Sequence, residues 1–163
     1  MYRLKALVFW VMLCFAIPLI CFFIPSVSFS APTPTTWAKT YGGADDEEAW
    51  SIRQTSDGGY IVAGWTYSSG AGWYDIWVLK LDGNGDVQWQ RTYGGARDEM
   101  AWSIQQTRDG GYIVAGKASS SGAGWEDIFV LKLDGNGNVQ WQRTYGGANH
   151  EVAYSIQETR DGG

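Results

Sequence analysis

The chain has 163 residues, 22 of them glycine and 10 tryptophan, and its formal net charge is −5 at pH 7. An acidic chain lacks the basic surface with which nucleic-acid recognition begins, which excludes nucleic acid as the expected partner. Both cysteines, Cys14 and Cys21, lie near the start. The chain after residue 30 therefore has no disulfide and no thiolate metal site.

The first 30 residues have the layout of a secretory signal. Residues 1–5 are a short basic start, and residues 6–24 are uncharged and almost wholly apolar. Ser28 and Ser30 are small residues that suit signal-peptidase cleavage before Ala31. Because the apolar run is long enough to cross a bilayer, an uncleaved membrane anchor is the alternative. Both interpretations place the rest of the chain outside the cytoplasm, either secreted or in the cell envelope.

After a short extended spacer at residues 31–36, the sequence repeats itself every 52 residues. The first two copies are identical at 40 of 52 positions, and the third is partial. A period of this size is typical of stacked supersecondary units, because one unit cannot bury its own faces. The copies span residues 37–88, 89–140 and 141–163.

Each complete copy contains four short segments with strand character, separated by glycine-rich turns. The two middle segments are apolar on both faces, which is typical of strands enclosed between neighbouring sheets. The fourth segment alternates between apolar and polar residues, as an outer strand does. In the first copy the segments are residues 49–55, 60–64, 75–81 and 87–93.

Four antiparallel strands per repeat are the unit of a β-propeller blade. The sequence therefore predicts an all-β protein with two full blades and a partial third, and a β-solenoid or β-prism is the alternative. Propellers close with about 4–8 blades, so two blades would leave apolar sheet faces exposed. The third copy ends at Gly163 within a turn. Three explanations follow, in order of preference. The blades belong to a longer chain, several short chains assemble into one ring, or the chain is a small unit of weak stability.

Three spaced motifs resemble those of a prokaryotic family of secreted β-propeller repeat proteins. They are D-G-G-Y-I-V-A-G, D-I-W-V-L-K-L-D-G-N-G-D-V-Q-W and T-Y-G-G, and the resemblance covers residues 37–163. It implies exported tandem blades without agreed catalytic residues, and some members look like extracellular glycosidase-associated or adhesive proteins. The family carries many copies of the unit, whereas this chain has few.

The turn before the fourth segment is a candidate calcium loop, because it places oxygen side chains at alternate positions. A full EF-hand loop would continue with Gly and an acid where this sequence has Val87 and Tyr93. A hairpin turn that uses the same residues for their backbone freedom is the alternative, and no other cofactor is expected. The candidate metal ligands are Asp82, Asn84, Asp86, Asp134, Asn136 and Asn138.

Three glutamates, Glu47, Glu99 and Glu151, recur at one place in all three copies. Paired carboxylates hydrolyse glycosides when they face each other, but repetition puts equivalent residues on separate blades. We predict instead that these glutamates accept backbone N–H bonds at the neighbouring Gly-Gly turn. His150 is the single histidine, so a histidine-based triad or zinc site has no partner residues.

The Ser/Gly loop before the third segment carries aromatic residues in both complete copies. Trp73 and Tyr74 in the first copy, and Trp125 and Glu126 in the second, are the candidate ligand-binding residues. Exposed aromatic platforms beside carboxylates suit the stacking of sugars. The alternative is that these tryptophans pack between adjacent blades.

Two functions remain in competition. The first is an exported, non-catalytic propeller that serves as a surface binding or adhesion scaffold, with a polysaccharide or a cell-surface partner as its ligand. The second is one part of an extracellular, endoglucanase-like glycoside hydrolase whose catalytic residues lie outside this sequence. A fold resemblance alone assigns neither of them.

Overall fold

The computed structural model describes residues 36–161, and this part of the chain is all-β with no helix, which confirms the predicted class. Residues 1–35, which include the predicted signal or anchor segment, lie outside the described residues, as do Gly162 and Gly163. Within the described range no helix is long and apolar enough to cross a membrane. The strands are β1 (Glu47–Gln54), β2 (Tyr60–Thr66), β3 (Asp75–Leu81), β4 (Val87–Tyr93), β5 (Glu99–Gln106), β6 (Tyr112–Ala118), β7 (Asp127–Leu133) and β8 (Val139–Tyr145).

The strands form two four-stranded antiparallel sheets, one from each complete copy of the repeat. The first sheet has the order β1-β2-β3-β4 and the second the order β5-β6-β7-β8, so strands adjacent in sequence are adjacent in space. Equivalent strands pair in equivalent registers: Tyr60 lies opposite Leu81, and Tyr112 lies opposite Leu133. The repeat in the sequence is therefore a repeat in the structure.

The predicted strand segments agree with the observed strands except at the ends of the first pair. β1 begins two residues earlier and ends one residue earlier, and β2 ends two residues later, than the sequence predicts. The pair is longer because Glu47 lies opposite Thr66 and accepts a hydrogen bond from its Oγ1 at 2.9 Å. A bulge between Ala49 and Ser51 also shifts the register, and it recurs in β5. Neither feature is visible in the apolar alternation of the sequence.

An Asp-Gly-Gly turn closes the first hairpin of each sheet. Gly58 has a φ of +83°, in the left-handed region that favours glycine. The carboxylate of Asp57 accepts a hydrogen bond from Lys80 Nζ at 2.8 Å, and Lys80 is only 4% exposed. Asp109 and Lys132 form the same bond at 2.8 Å in the second sheet. The buried lysine in the first sheet is thus a paired charge, which is the condition under which burial of an ammonium is tolerated.

The main core lies between the two sheets. Every residue of β3 is buried, which confirms for the first sheet that a middle strand is enclosed on both faces. β4 is mostly exposed, as predicted for an outer strand. Alternate residues of β7 are only half-buried, because no further complete sheet covers that face of the second sheet within the described residues. The core residues are Ile61, Ala63, Ile76, Val78, Ala101, Ile104, Tyr112, Val114, Ala118, Phe129, Leu131 and Leu133.

Residues 37–41 pack across the other face of the first sheet, although they belong to no strand within the described range. The hydroxyl of Tyr41 donates to the carbonyl of Gly85 at 2.7 Å, and the hydroxyl of Tyr93 donates to the carbonyl of Gly137 at the same distance. Residues 37–41 therefore take the place against the first sheet that β4 takes against the second.

The start of the third copy makes the matching contact on the far side of the second sheet. The N–H of Ile156 donates to Ser103 Oγ at 3.3 Å, just as the N–H of Ile104 donates to Ser51 Oγ at 3.3 Å. Residues 151–158 thus lie against β5 as β5 lies against β1. Each repeat unit uses the same contacts toward its neighbour.

Candidate functional site

Two equivalent tryptophans share one cleft on the surface. Trp73 is 69% exposed and Trp125 is 73% exposed, and both line a cleft of about 440 Å³. Of the residues predicted to bind a ligand, the structure therefore brings together Trp73, Trp125 and Glu126, and it leaves Tyr74 outside the lining. The other lining residues are Ala96, Arg97, Asp98, Ser119 and His150.

Each tryptophan loop is held from both sides. The carboxylate of Asp75 accepts the N–H of Gly72 at 3.0 Å, which turns the first loop back onto the start of its own β3. The carbonyl of Tyr74 accepts the N–H of Glu99 at 2.6 Å, which ties the loop to the next repeat. The second loop has the same two bonds, from Gly124 to Asp127 at 3.2 Å and from Glu151 to Glu126 at 2.8 Å. The tryptophans are therefore placed by the junction between repeats.

Tyr74 turns away from the cleft and joins an aromatic group. Its ring lies edge-on to Trp65 with the ring centroids 4.7 Å apart, and the centroid of Tyr67 is 5.5 Å away. The indole N–H of Trp65 donates to Glu48 at 3.2 Å. This arrangement matches the packing role that the sequence left open for the aromatic residues of these loops.

Glu126 contacts a lysine and a histidine beside the cleft. Its Oε1 accepts a hydrogen bond from Lys117 Nζ, and its Oε2 lies 3.1 Å from His150 Nδ1. The hydrogen bond from Lys117 lowers the pKa of Glu126 below its ordinary value, and the contact with His150 lowers it further. The ring of His150 stacks on Trp125, with centroids 6.3 Å apart and an interplanar angle of 26°. This wall of the cleft therefore presents an indole face, an imidazole and an ionised carboxylate together.

The recurrent glutamates have the structural role that the sequence predicts. Glu47 accepts the N–H of Gly43 at 2.9 Å, and Glu99 accepts the N–H of Gly95 at 2.5 Å. Glu151 makes the same bond with the third Gly-Gly turn at 3.1 Å. The prediction that these side chains bind backbone N–H groups of the turn is confirmed.

The six candidate calcium ligands lie in two equivalent hairpin turns. Asp82 Oδ1 accepts the N–H groups of Asn84 and Asp86, both at 2.8 Å, and Asp134 makes the equivalent bonds with the second turn. Asp86 also accepts a hydrogen bond from Lys39 at 2.6 Å. Within residues 36–161, no group of three or more His, Cys, Asp or Glu side chains could hold a metal ion. The bonds observed are those of the hairpin alternative, and calcium at these turns stays a prediction.

Comparison with known proteins adds no further assignment. No protein-family profile matches the chain, and no curated protein matches it.

Sequence reasoning missed Ala96, Arg97, Asp98 and Ser119 as lining residues, and it considered His150 only for a catalytic triad or a zinc site. A signal was present in the differences between copies. Arg97 stands where the first copy has Asp45, and His150 stands where both earlier copies have aspartate. Five of the eight lining residues differ from a counterpart in another copy: Arg97, Asp98, Ser119, Glu126 and His150.

Proposed function

We propose that this protein is an exported β-propeller repeat protein that binds carbohydrate, without catalysis, in the cleft between Trp73 and Trp125. The observation that carries the proposal is the pair of exposed, equivalent indole rings on one cleft that also holds Arg97, Asp98 and Glu126. An indole face offers apolar area to the C–H face of a sugar ring, while charged groups beside it bond the hydroxyls.

The propeller part of the proposal is supported by the way the repeats meet. Residues 37–41 and residues 151–158 occupy the places of strands from a preceding and a following sheet. Ile52 is 55% exposed, whereas its equivalent Ile104 is fully buried by the first sheet. A further unit before the first sheet would bury Ile52 in the same way, as neighbouring blades do in a closed ring.

The positions at which the copies differ support a recognition role for the cleft. The strands β3 and β7, which contribute to the core, differ only at Trp77 and Phe129, and both residues are apolar. The cleft instead exchanges charge and size, with Glu126 in place of Tyr74. Constant core strands with varied surface loops are expected of a binding scaffold.

The proposal is tested by calorimetric titration of soluble polysaccharides into the exported protein. We expect Trp125→Ala and Trp73→Ala each to weaken binding about tenfold, the loss of the roughly 1–1.5 kcal/mol that an aromatic contact contributes. Trp141→Ala is the matched control, because Trp141 is 41% exposed and is absent from the lining of the cleft. Binding that is equal in all three variants, or absent from the wild-type protein, would overturn the proposal.

A further inference from the structure

Two buried carboxylates face each other where the first sheet meets the second. Asp75 begins β3 and is 1% exposed, and Glu99 begins β5 and is 2% exposed. An oxygen of each lies under 3.0 Å from the position that a Cβ on Gly94 would occupy. The two oxygens therefore share the space that is free only because residue 94 has no side chain.

The same arrangement recurs between the second sheet and the third copy. Asp127 is 1% exposed, and its Oδ1 and an oxygen of Glu151 both lie under 3.0 Å from the Cβ position of Gly146. Oδ2 of Asp127 accepts the N–H of Gly124, but Oδ1 has no hydrogen-bond partner among residues 36–161. A buried acidic oxygen is thus left without a hydrogen bond beside an oxygen of a second carboxylate.

A buried carboxylate needs hydrogen bonds, a shared proton, a counter-ion or a metal, because desolvation of an ionised group costs several kcal/mol. Glu99 accepts the N–H groups of Gly95 and Ser120, whereas Oδ1 of Asp127 accepts none from the described residues, so a cation there would supply the missing partner. The ion pairs within the described range use other acids, and none of them includes Asp75, Glu99, Asp127 or Glu151. The contrast with Lys80 is direct, since that buried charge has its counter-ion in place.

Backbone carbonyl oxygens also lie close to the two glycines whose N–H groups bind the aspartates. The carbonyl oxygens of Gly95 and Arg97 lie under 3.0 Å from the Cβ position of Gly72, whose N–H binds Asp75. The carbonyl oxygens of Gly147 and Asn149 lie in the same way against Gly124, beside Asp127. Carboxylates together with backbone carbonyls are the ligands that Ca²⁺ takes, in flexible geometry.

We propose that each Asp–Glu pair, Asp75 with Glu99 and Asp127 with Glu151, binds one calcium-type divalent cation at the junction between successive repeats. These two sites are separate from the hairpin turns at Asp82 and Asp134, and they lie at the junctions whose loops carry Trp73 and Trp125. The cation would connect the loop before the third strand of one repeat to the first strand of the next. Because it would bind only the folded junction, it would stabilise the stacking of the sheets.

The first test measures the thermal unfolding temperature of the exported protein, first with a calcium chelator and then with added Ca²⁺. We expect Ca²⁺ to raise the Tm of the wild-type protein by roughly 5–15 °C. The double variant Asp75→Asn/Asp127→Asn should show no rise, because each site loses a charged ligand. The matched control is Asp82→Asn/Asp134→Asn, which makes the same change in the two hairpin turns and should keep the full rise.

Three outcomes would overturn the proposal. One is a wild-type Tm that Ca²⁺ does not change, and another is a rise that persists in Asp75→Asn/Asp127→Asn. The third is a rise lost only in the control, which would assign calcium to the turns.

A second measurement covers the risk that a variant with two changed buried acids fails to fold. Tryptophan-sensitised Tb³⁺ luminescence counts bound ions at room temperature, and Glu151 is the half-buried member of its pair. We expect two ions on the wild-type protein, one on the single variant Glu151→Gln and two on the turn control. Two ions on Glu151→Gln would contradict the assignment.

Discussion

Tyr74 packs edge-on against Trp65 with ring centroids 4.7 Å apart, and in the next repeat their places are taken by Glu126 and Lys117. Those two residues form a partly buried ion pair. An aromatic contact in one repeat is thus an ionic contact in the next, on the same pair of backbone positions. Because the aromatic contact and the ion pair hold equivalent loops, the charge beside the cleft changes while the sheets keep their geometry.

We expect the Lys117–Glu126 ion pair to tolerate joint replacement of both residues but not replacement of one residue alone. Lys117→Ala leaves the partly buried carboxylate of Glu126 without its main partner, so we expect the free energy of unfolding to fall by about 1–2 kcal/mol. The triple variant Lys117→Trp/Ser119→Tyr/Glu126→Tyr introduces the first repeat's aromatic residues, and we expect its free energy of unfolding to be close to that of the wild-type protein. Urea unfolding measures both values. A triple variant as unstable as Lys117→Ala would show that the aromatic contact and the ion pair are not equivalent.

Acid should weaken the first hairpin of each sheet. Hydrogen bonds from Lys80 and Lys132 hold the pKa of Asp57 and of Asp109 well below the ordinary value of 3.8. A depressed pKa in the folded state means that this stabilisation is complete above about pH 4 and is lost as the pH falls further.

We therefore expect the free energy of unfolding to decrease from about pH 4 toward pH 2 with a smaller slope in Asp57→Asn/Asp109→Asn than in the wild-type protein. Denaturant titrations across this range measure the slope. Asp45→Asn is the control, because Asp45 is an exposed acid outside the hairpin. An identical slope in the hairpin variant and the wild-type protein would show that Asp57 and Asp109 do not contribute to the loss of stability in acid.

Two equivalent isoleucines should differ in their contribution to stability. Ile104 is fully buried between the sheets, so Ile104→Ala should cost about 2–4 kcal/mol by loss of apolar contact and creation of a cavity. Ile52 is 55% exposed, and we expect Ile52→Ala to cost under about 1 kcal/mol in the monomeric chain. Chemical denaturation measures both. Equal costs would mean that another unit or another copy covers Ile52 in solution.

Export with cleavage of the signal should give a defined N-terminus. We expect N-terminal sequencing of the exported protein to begin at Ala31, after the small residues Ser28 and Ser30. A protein that keeps residues 1–30 and fractionates with membranes would identify that segment as an anchor. The variant Ser30→Leu is a direct check, because a large residue before the cut should slow processing.

The strands and turns could be predicted because each depends on a few neighbouring residues. The apolar run of β3 and the alternation of β4 predict their bounds without error. The Asp-Gly-Gly turn requires glycine because Gly58 has a positive φ. The site was predicted less well, since Tyr74 stands beside Trp73 in sequence but turns toward Trp65 in space. Whether a side chain lines the cleft depends on packing between residues far apart in the chain.

The sequence by itself determined the period, the four strands of each unit and the all-β class, because hydrophobic alternation and glycine turns are local properties. Only the tertiary structure decided which surfaces meet. It placed Trp73 and Trp125 on one cleft, Tyr41 against Gly85, and Asp75 opposite Glu99. These contacts join one repeat to the next, and their geometry follows from how two twisted sheets stack, which no single segment encodes.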